Sequence, residues 1–280
     1  MTVRSVANRD AGSQRPVRRG YFECRYGQLH LYNAMPPGGG FEEATGLLCL
    51  HETPLTGRMF DGLQRILGRD RSVYAPDLPG YGQSDSPAER PTIQDYAAAI
   101  GDFLDTMRLR QIDVMGCQTG ALIAAELAIS RPQQVRRVVW TGVPIVNDAE
   151  RAEFLRSPWP GAASDDGSHL DRVWRRVASA SKLPLPDDIA ARRVAAVLAG
   201  GANASWGMHA CVKYPARERL RLVAQPLLLL RPADEFWESG VRVREFVPKA
   251  RILDFPTYGT GLCEVAPEAV ADAVTKFLHS

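Results

Sequence analysis

The chain has 280 residues, of which 45% are hydrophobic, and a formal net charge of +2. This length suits one large α/β domain with an inserted lobe, and the balanced charge gives no bias toward nucleic acid. No apolar run reaches the roughly 18 residues that cross a bilayer, and the N-terminus lacks the apolar core of a secretion signal. We therefore expect a cytoplasmic protein that does not bind membranes. The five scattered cysteines include no C-x-x-C pair and are interpreted as reduced thiols.

The first 20 residues form a polar segment that carries five arginines and no periodic apolar face. Residues 1–20 are therefore predicted to be a disordered basic tail. Residues 1–20 contain no aromatic residue for base stacking, which argues against nucleic acid as a partner.

Regular structure is predicted from Tyr21, where apolar and polar residues alternate around Gly27 as in a β-hairpin. A short buried strand (46–51) follows, then a helix over about 58–67. A helix that begins after the capping residue Thr92 comes next, and then "QIDVMG", "GALIAAELAIS" and "VRRVVWTG" continue the alternation of strand and helix. Short apolar strands that alternate with helices predict a parallel sheet covered on both faces.

The alternation stops near Val146 and resumes with "PLLLLRPAD". Between these points three helical stretches and no convincing strand are found, so residues 146–224 are predicted to form an inserted helical cap. The core domain is then residues 21–145 and 225–280. The cap arginines are interpreted as a solvated helix face, and they are Arg172, Arg175, Arg176, Arg192 and Arg193.

Several ordered segments resemble the α/β-hydrolase family over residues 21–280. They are "LHETP", "APDLPGYGQSD", "GCQTG", a helical cap, "RPAD" and a closing strand, loop and helix. The resemblance implies a mostly parallel eight-stranded sheet with helices on both faces and an inserted helical cap. It also implies a nucleophile at a tight turn, a histidine base and a carboxylate that orients the histidine.

The family's nucleophile elbow needs small residues two positions before and after its tip. Gly116 and Gly120 have these offsets from Gln118, which places an amide where the nucleophile is expected. If Cys117 were the tip, Met115 and Thr119 would be the flanking residues, and both are too bulky. The resemblance therefore assigns the nucleophile position to Gln118.

By the same resemblance, the base position holds Thr260 and the acid position holds Asp234, with Glu235 beside it. Of the five histidines, only the penultimate residue of the chain, His279, lies beyond the cap. We infer that the chain is not an ordinary serine esterase, because the members of the triad act as a unit. Asp234 is left to act as a base, to bind a cationic group or to bond to backbone.

The family's oxyanion segment appears here as His51-Glu52-Thr53-Pro54. The resemblance implies that the backbone N–H groups of Thr53 and Thr119 face the pocket, and Glu52 adds bulk and charge where a glycine is usual. His51 is a candidate acid or base, although bracing of the loop is the favoured interpretation.

Further pocket residues are expected from the cap and from the loops after the strands. His209 is a candidate acid or base on a cap helix, with structural packing at least as good an interpretation. Four tryptophans, Trp159, Trp174, Trp206 and Trp237, suit an apolar ligand pocket, and core packing explains them almost as well. Gln118, Glu52 and Tyr258 are larger than what they replace and would be able to fill the pocket.

Besides a structural or interaction protein whose old site is filled by side chains, three functions remain open from the sequence. The first is a non-hydrolytic, cofactor-independent enzyme of lyase, isomerase or cyclase type that acts on a small apolar molecule. The second is a non-catalytic binding protein for a small molecule. The third is a hydrolase with an unconventional nucleophile such as Cys117, or with an activated water. No metal-ligand spacing or phosphate-binding loop appears, so we expect no metal and no tightly bound cofactor. The oligomeric state is left open.

Overall fold

The computed structural model describes residues 17–36, 45–156, 163–179 and 183–280. Its centre is an eight-stranded sheet with the order β1-β2-β4-β3-β5-β6-β7-β8. Strand β2 pairs antiparallel with both β1 and β4, and all the other neighbouring strands pair parallel. The strands are β1 Arg18–Cys24, β2 Gly27–Ala34, β3 Leu47–Leu50, β4 Val73–Pro76, β5 Ile112–Cys117, β6 Val135–Thr141, β7 Leu227–Pro232 and β8 Arg251–Phe255.

Helices cover both faces of this sheet, as the sequence predicted. In chain order they are α1 Asp61–Leu67, α2 Ile93–Thr106, α3 Thr119–Ser130, α4 Asp148–Arg156, α5 Ser168–Ala178, α6 Asp187–Ala199, α7 Trp206–Lys213, α8 Ala216–Arg219, α9 Trp237–Gly240, α10 Val243–Phe246, α11 Leu262–Val265 and α12 Pro267–Leu278. The helix expected over 58–67 is split into a 3-10 turn, Gly57–Phe60, followed by α1. Within the described ranges, no helix is long and apolar enough to cross a membrane.

The hydrophobic core is divided by the sheet into two layers. Strand β3 shows why, because Leu48 and Leu50 pack in one layer while Leu47 and Cys49 pack in the other. Successive side chains of a strand point to opposite faces, so a strand that is apolar at every position must be covered on both sides. All four residues of β3 are buried.

The N-terminal boundary differs from the prediction. Strand β1 begins at Arg18, inside the segment 1–20 that was predicted as a tail, and pairs with β2 from Arg18 opposite Asn33. The Arg19 guanidinium lies 5.7 Å from the centre of the Tyr32 ring, so its charge rests on an aromatic face. The prediction therefore placed the start of the sheet too late in the chain. Residues 1–16 lie outside the described ranges.

Between β6 and β7 the described residues form the helices α4 to α8, in the segment expected to be a cap. Helices α5 and α6 pack against each other, and α7 packs against α3 of the core. In α5 the only buried residue is Val173, which gives the helix a narrow apolar stripe. Residues of α5, α6 and α7 line one cavity together with Glu52, which follows β3, and Gln118, which follows β5. The cap therefore lies over the carboxyl ends of these two strands, where the candidate site is found.

Candidate functional site

The turn between β5 and α3 has the geometry of a nucleophile elbow, with Gln118 at its tip. Gln118 has φ 47° and ψ −109°, a strained conformation for a residue with a side chain. A Cβ atom on Gly116 would lie 2.1 Å from the Gly120 carbonyl oxygen, and one on Gly120 would lie 2.1 Å from the Leu50 carbonyl oxygen. Only glycine fits at these two positions, so the backbone confirms that the tip is Gln118 and not Cys117.

Cys117 is the last residue of β5, and its thiol points away from the tip. Its Sγ lies 3.7 Å from Sγ of Cys263, and both side chains are buried. Burial, followed by contact with the Cys263 thiol, raises the pKa of the Cys117 thiol well above its usual value. A nucleophilic cysteine needs the opposite shift. The structure therefore gives no support to Cys117 as an unconventional nucleophile.

The Gln118 and Asp234 side chains meet at Gly142. A Cβ atom on Gly142 would lie 2.5 Å from Asp234 Oδ2 and 3.3 Å from Gln118 Cγ, so both side chains use the space that this glycine leaves open. Asp234 Oδ1 accepts a hydrogen bond of 2.9 Å from the Phe236 backbone N–H. Among the described residues, Asp234 Oδ2 and the Gln118 carboxamide have no hydrogen-bonding partner.

The Asp234 carboxyl titrates near neutral pH. Withdrawal from water raises its pKa to about 7, and the charges of Glu235 and Glu52 add to this rise, while the Phe236 hydrogen bond opposes it. A carboxyl group with this pKa can both take up and release a proton at physiological pH.

The loop after β8 places Thr260 in the site and Tyr258 outside it. Thr260 is 5% exposed and lines the same cavity as Gln118, as its assignment to the base position requires. The Tyr258 ring lies against Phe255, with 6.2 Å between ring centres, and its carbonyl accepts a 2.7 Å hydrogen bond from Ala233 N–H. Our expectation that Tyr258 fills the pocket is wrong, because its ring packs with Phe255 against the core layer that contains Leu47 and Cys49.

The segment after β3 lies against the N-terminus of α3 through two threonines. Thr53 Oγ1 and Thr119 Oγ1 are 2.8 Å apart, and a Cβ atom on Gly207 of the cap would lie 2.1 Å from Thr53 Oγ1. Thr119 is the first residue of α3, whose first-turn N–H groups have no carbonyl within the helix. Neither the Thr53 nor the Thr119 N–H has an acceptor in the described part of the chain, so both remain able to hold an oxygen atom.

Glu52 belongs to a buried ion-pair cluster that links the cap to the core. Arg193 of α6 donates from Nη1 to Glu52 Oε1 at 2.5 Å and from Nε to Glu264 Oε2 at 2.7 Å. Arg193 is 5% exposed, so the expectation that it belongs to a solvated helix face is wrong. Arg172, Arg175, Arg176 and Arg192 are exposed as expected. The charge that Glu52 brings to the oxyanion segment is thus compensated by the cap.

His51 braces the loop and has no free nitrogen for catalysis. Its Nε2 accepts a 2.8 Å hydrogen bond from the Leu78 backbone N–H, which leaves Nδ1 to donate to the Glu52 carbonyl oxygen at 2.9 Å. Burial lowers the pKa of the imidazole and favours this neutral form. His51 is therefore not the acid or base that its sequence position allowed, and the bracing interpretation describes it.

His209, Trp174, Trp206 and Trp237 do not line the cavity. His209 is half-buried near Arg90 and Lys213. Burial lowers its pKa, and the charges of these two residues lower it further. The preceding residue, Met208, lines the cavity instead. The Trp237 ring stacks on the Arg231 guanidinium at 4.0 Å. The expected pocket roles of His209, Trp206 and Trp237 are therefore corrected. Trp174 is exposed, and Trp159 lies outside the described residues.

The cavity under the cap has a volume of about 70 Å³. Its polar lining comes from Gln118, Thr260, Thr53, Glu52, Glu235, Arg176 and Arg193, and its apolar lining from Pro54, Leu55, Val173, Val177, Val197 and Met208. A second void of about 10 Å³ lies beside it and is lined by Asp234 and Cys117 among others. Gln118 and Glu52 line both spaces and so form the wall between them. In the described part of the chain, no three His, Cys, Asp or Glu side chains are placed to hold a metal ion.

These features define the class of the protein. A family model described as alpha/beta hydrolase fold matches residues 47–191, more than half of the chain. The chain therefore belongs to the α/β-hydrolase fold family. A structure of a hydrolase from Pseudomonas aeruginosa PA01 has a TM-score of 0.73 at 18% identity, covering 97% of this chain and 100% of that one. The structure of E-2-(acetamidomethylene)succinate hydrolase gives 0.71 at 19% identity, with 95% and 100% covered. At these identities the likeness shows the fold.

Curated relatives match over shorter segments. A 2-hydroxymuconate semialdehyde hydrolase of Pseudomonas sp. (strain CF600) is 39% identical over 80 residues, which are 27% of each chain. A haloalkane dehalogenase of Psychrobacter cryohalolentis is 33% identical over 102 residues, 35% of this chain and 34% of the relative. The matched segment thus spans about a third or less of these relatives, whose names are those of hydrolases.

Proposed function

We propose that this protein is a cofactor-independent enzyme that moves a proton on a small, largely apolar molecule, in a lyase, isomerase or cyclase type of reaction. The observation that carries the proposal is the Asp234 carboxyl, whose pKa is about 7 and whose Oδ2 has no hydrogen-bond donor among the described residues. An acid or base is most effective when its pKa lies near the working pH.

Asp234 reaches the ligand through the small void beside Gln118. The void of about 10 Å³ is close to the smallest space that holds one water molecule. The ionised carboxylate takes a proton from a C–H or O–H group of the ligand through that water. The N–H groups of Thr53 and Thr119 stabilise the oxygen on which negative charge develops. Asp234 then returns the proton to a different atom of the ligand, which completes the reaction without an added reactant.

Gln118 and Thr260 position the ligand in this proposal. A carboxamide is not a nucleophile, and it both donates and accepts hydrogen bonds without changing its charge. Thr260 is buried in the lining of the same cavity and adds a second neutral side chain to it. The covalent serine mechanism is not available to these two side chains, because it needs a nucleophile and a base together. We place this activity in the cytoplasm, as expected from the sequence.

Hydrolysis by an activated water is the second candidate. It is supported by the same void, which has room for about one water molecule next to the Asp234 carboxyl, whose pKa is about 7. The hydrolase names of the relatives agree with this candidate. In this case Asp234 removes a proton from the water, which attacks the ligand directly.

A parallel assay of wild type and Asp234→Asn separates these functions. Small enolisable ketones and aldehydes are incubated in D₂O and followed by proton NMR, and activated short-chain and aromatic esters are followed by absorbance. We expect wild type to exchange protons with at least one carbonyl compound and Asp234→Asn to lose about 100-fold or more of that rate. Asp272→Asn, an exposed carboxylate on α12, is the control. Ester turnover that depends on Asp234 would favour the second candidate, and no activity in either assay would leave a binding protein.

A further inference from the structure

We propose that the cavity under the cap selects a small molecule that carries a protonated amine on an apolar body. This inference rests on the proposed function, because it names the class of substrate for the same site. The amine would lie against Glu235, with the Gln118 carboxamide oxygen as a second acceptor.

Among the described residues, Glu235 is the cavity carboxylate without a partner at hydrogen-bond distance. Its nearest ion-pair contact is Arg176 Nη2 at 3.8 Å, too long for a hydrogen bond. Arg176 and Glu235 are 47% and 35% exposed in their side chains, so this pair is held loosely. An ammonium group has three donors and forms charge-assisted hydrogen bonds with a carboxylate at shorter distances.

Arg193, one of the two arginines in the cavity lining, is already paired with two acids. Arg193 is held by both Glu52 and Glu264 at hydrogen-bond distance, and its two partners carry one more negative charge than it balances. An added carboxylate would meet this excess of negative charge. Arg176, the other arginine of the lining, has Glu235 as its ion-pair contact, so each cavity arginine already faces an acid and the cavity is unfavourable for anionic ligands.

Gln118 gives an independent indication that the cavity has a polar occupant. Its side chain is 7% exposed, it lines the cavity, and its carboxamide has no hydrogen-bonding partner in the described residues. The Gln118 oxygen is therefore available to accept a hydrogen bond from a ligand in the cavity.

Burial is the main cause that raises the pKa of Glu235; the charges of Arg176 and Arg193 oppose the rise, and repulsion from Glu52 adds to it. The charge of Glu235 in turn raises the pKa of Asp234. The apolar part of the ligand would contact Val173, Val177 and Val197 of the cap, which line the same cavity as Glu235.

Three ligands of similar size test the proposal on the full chain: benzylamine, benzyl alcohol and benzoate. Dissociation constants are measured by NMR titration at pH 7.5 for wild type, Glu235→Gln and the control Glu238→Gln, an exposed acid three residues further along the chain. In wild type we expect benzylamine to bind about tenfold more tightly than benzyl alcohol, and benzoate not to saturate. Glu235→Gln should remove the preference for the amine and leave the affinity for benzyl alcohol unchanged.

Several results would overturn the inference. They are equal or tighter binding of benzoate, no saturable binding of any of the three ligands, or a preference for benzylamine that survives Glu235→Gln. The proposed function fails separately, since it depends on proton exchange in the D₂O assay and not on the binding preference. A preference for amines without proton exchange would support this inference and contradict the proposed function.

Discussion

The Arg193 guanidinium of the cap lies 2.5 Å from the Glu52 carboxylate of the oxyanion segment, and both side chains are buried. Glu264 of α11 completes the cluster from the other side, so three distant parts of the chain meet at one guanidinium. Arg193 and Leu55 also line an outer groove of about 350 Å³ as well as the inner cavity. The Arg193 side chain is thus part of the wall that separates the cavity from the groove.

We predict that Arg193→Met lowers the free energy of unfolding by about 3–5 kcal/mol, because it leaves two buried carboxylates without a partner. Chemical denaturation at pH 7.5 measures the loss. Arg192→Met is the matched control, since Arg192 is on the same helix and pairs with Asp188 at the surface. Its cost should stay within about 0.5 kcal/mol. Equal losses in the two variants would show that the buried cluster has no special role in stability.

Asp234→Asn should stabilise the protein above neutral pH. Between about pH 4 and pH 7 the folded state binds more protons at Asp234 than the unfolded state, because its pKa rises from 3.8 to about 7. Stability from this group is therefore complete below pH 4 and is lost as the pH rises through 7. Replacing the carboxylate should raise the free energy of unfolding at pH 8 by about 1–3 kcal/mol, after allowance for the solvent that still reaches this half-buried group.

Denaturation curves at pH 4 and pH 8 measure the effect of Asp234→Asn. Asp254→Asn supplies a control of opposite sign, because the hydrogen bond from Arg231 lowers the pKa of the exposed Asp254. That variant should be less stable than wild type at pH 8 and no different once the pH falls below the folded-state pKa of Asp254. If Asp234→Asn were destabilising at pH 8, its carboxylate would be a partner in a favourable interaction.

The triad positions can be tested by restoring the missing groups. A fluorophosphonate probe should label neither wild type nor Gln118→Ser, because a serine at the tip has no base. The double variant Gln118→Ser/Thr260→His should be labelled, since both positions line one cavity. Gel fluorescence after labelling is the readout. Labelling of Gln118→Ser as fast as the double variant would mean that another group, such as Asp234, activates the serine.

The elbow glycines should tolerate no side chain whatever the residue at the tip. We predict that Gly120→Ala costs about 3 kcal/mol or more, because its Cβ would lie 2.1 Å from the Leu50 carbonyl oxygen. Gly20→Ala is the control, since a Cβ there would meet Phe22 at an ordinary 3.5 Å. Thermal denaturation of the two variants measures the difference. A similar, small loss in both would contradict the assignment of the tight turn.

The elbow was predictable because its cause is local. Gly116 and Gly120 flank Gln118 in five consecutive residues, and the contacts that exclude a side chain follow from that spacing. The alternation of short apolar strands with helices likewise carried the prediction of a sheet covered on both faces, because the periodicity of a strand reports which of its faces are buried.

The partners of Arg193 were not predictable, because they lie 141 and 71 residues away from it in the chain. On a helix of mixed composition an arginine indicates a solvated face. Arg193 is buried because of contacts with residues distant in the chain, and these contacts cannot be read from the helix sequence. We predicted that His209 lines the cavity, but the residue that does so is its neighbour Met208. Neighbouring side chains on a helix point about 100° apart, so an error of one residue selects a different face. The sequence placed the correct helix at the cavity and chose the wrong face of it.

The carboxyl of Asp234 is the centre of this account, and its titration can be observed directly. Carbon-13 NMR of the side-chain carboxyl groups, from pH 4 to pH 9, would follow Asp234 by the resonance that disappears in Asp234→Asn. We expect a midpoint near the pKa of about 7 that burial produces. A midpoint below about 5, close to that of an ordinary aspartate, would contradict the proposal that this carboxyl acts as the acid and base of the site.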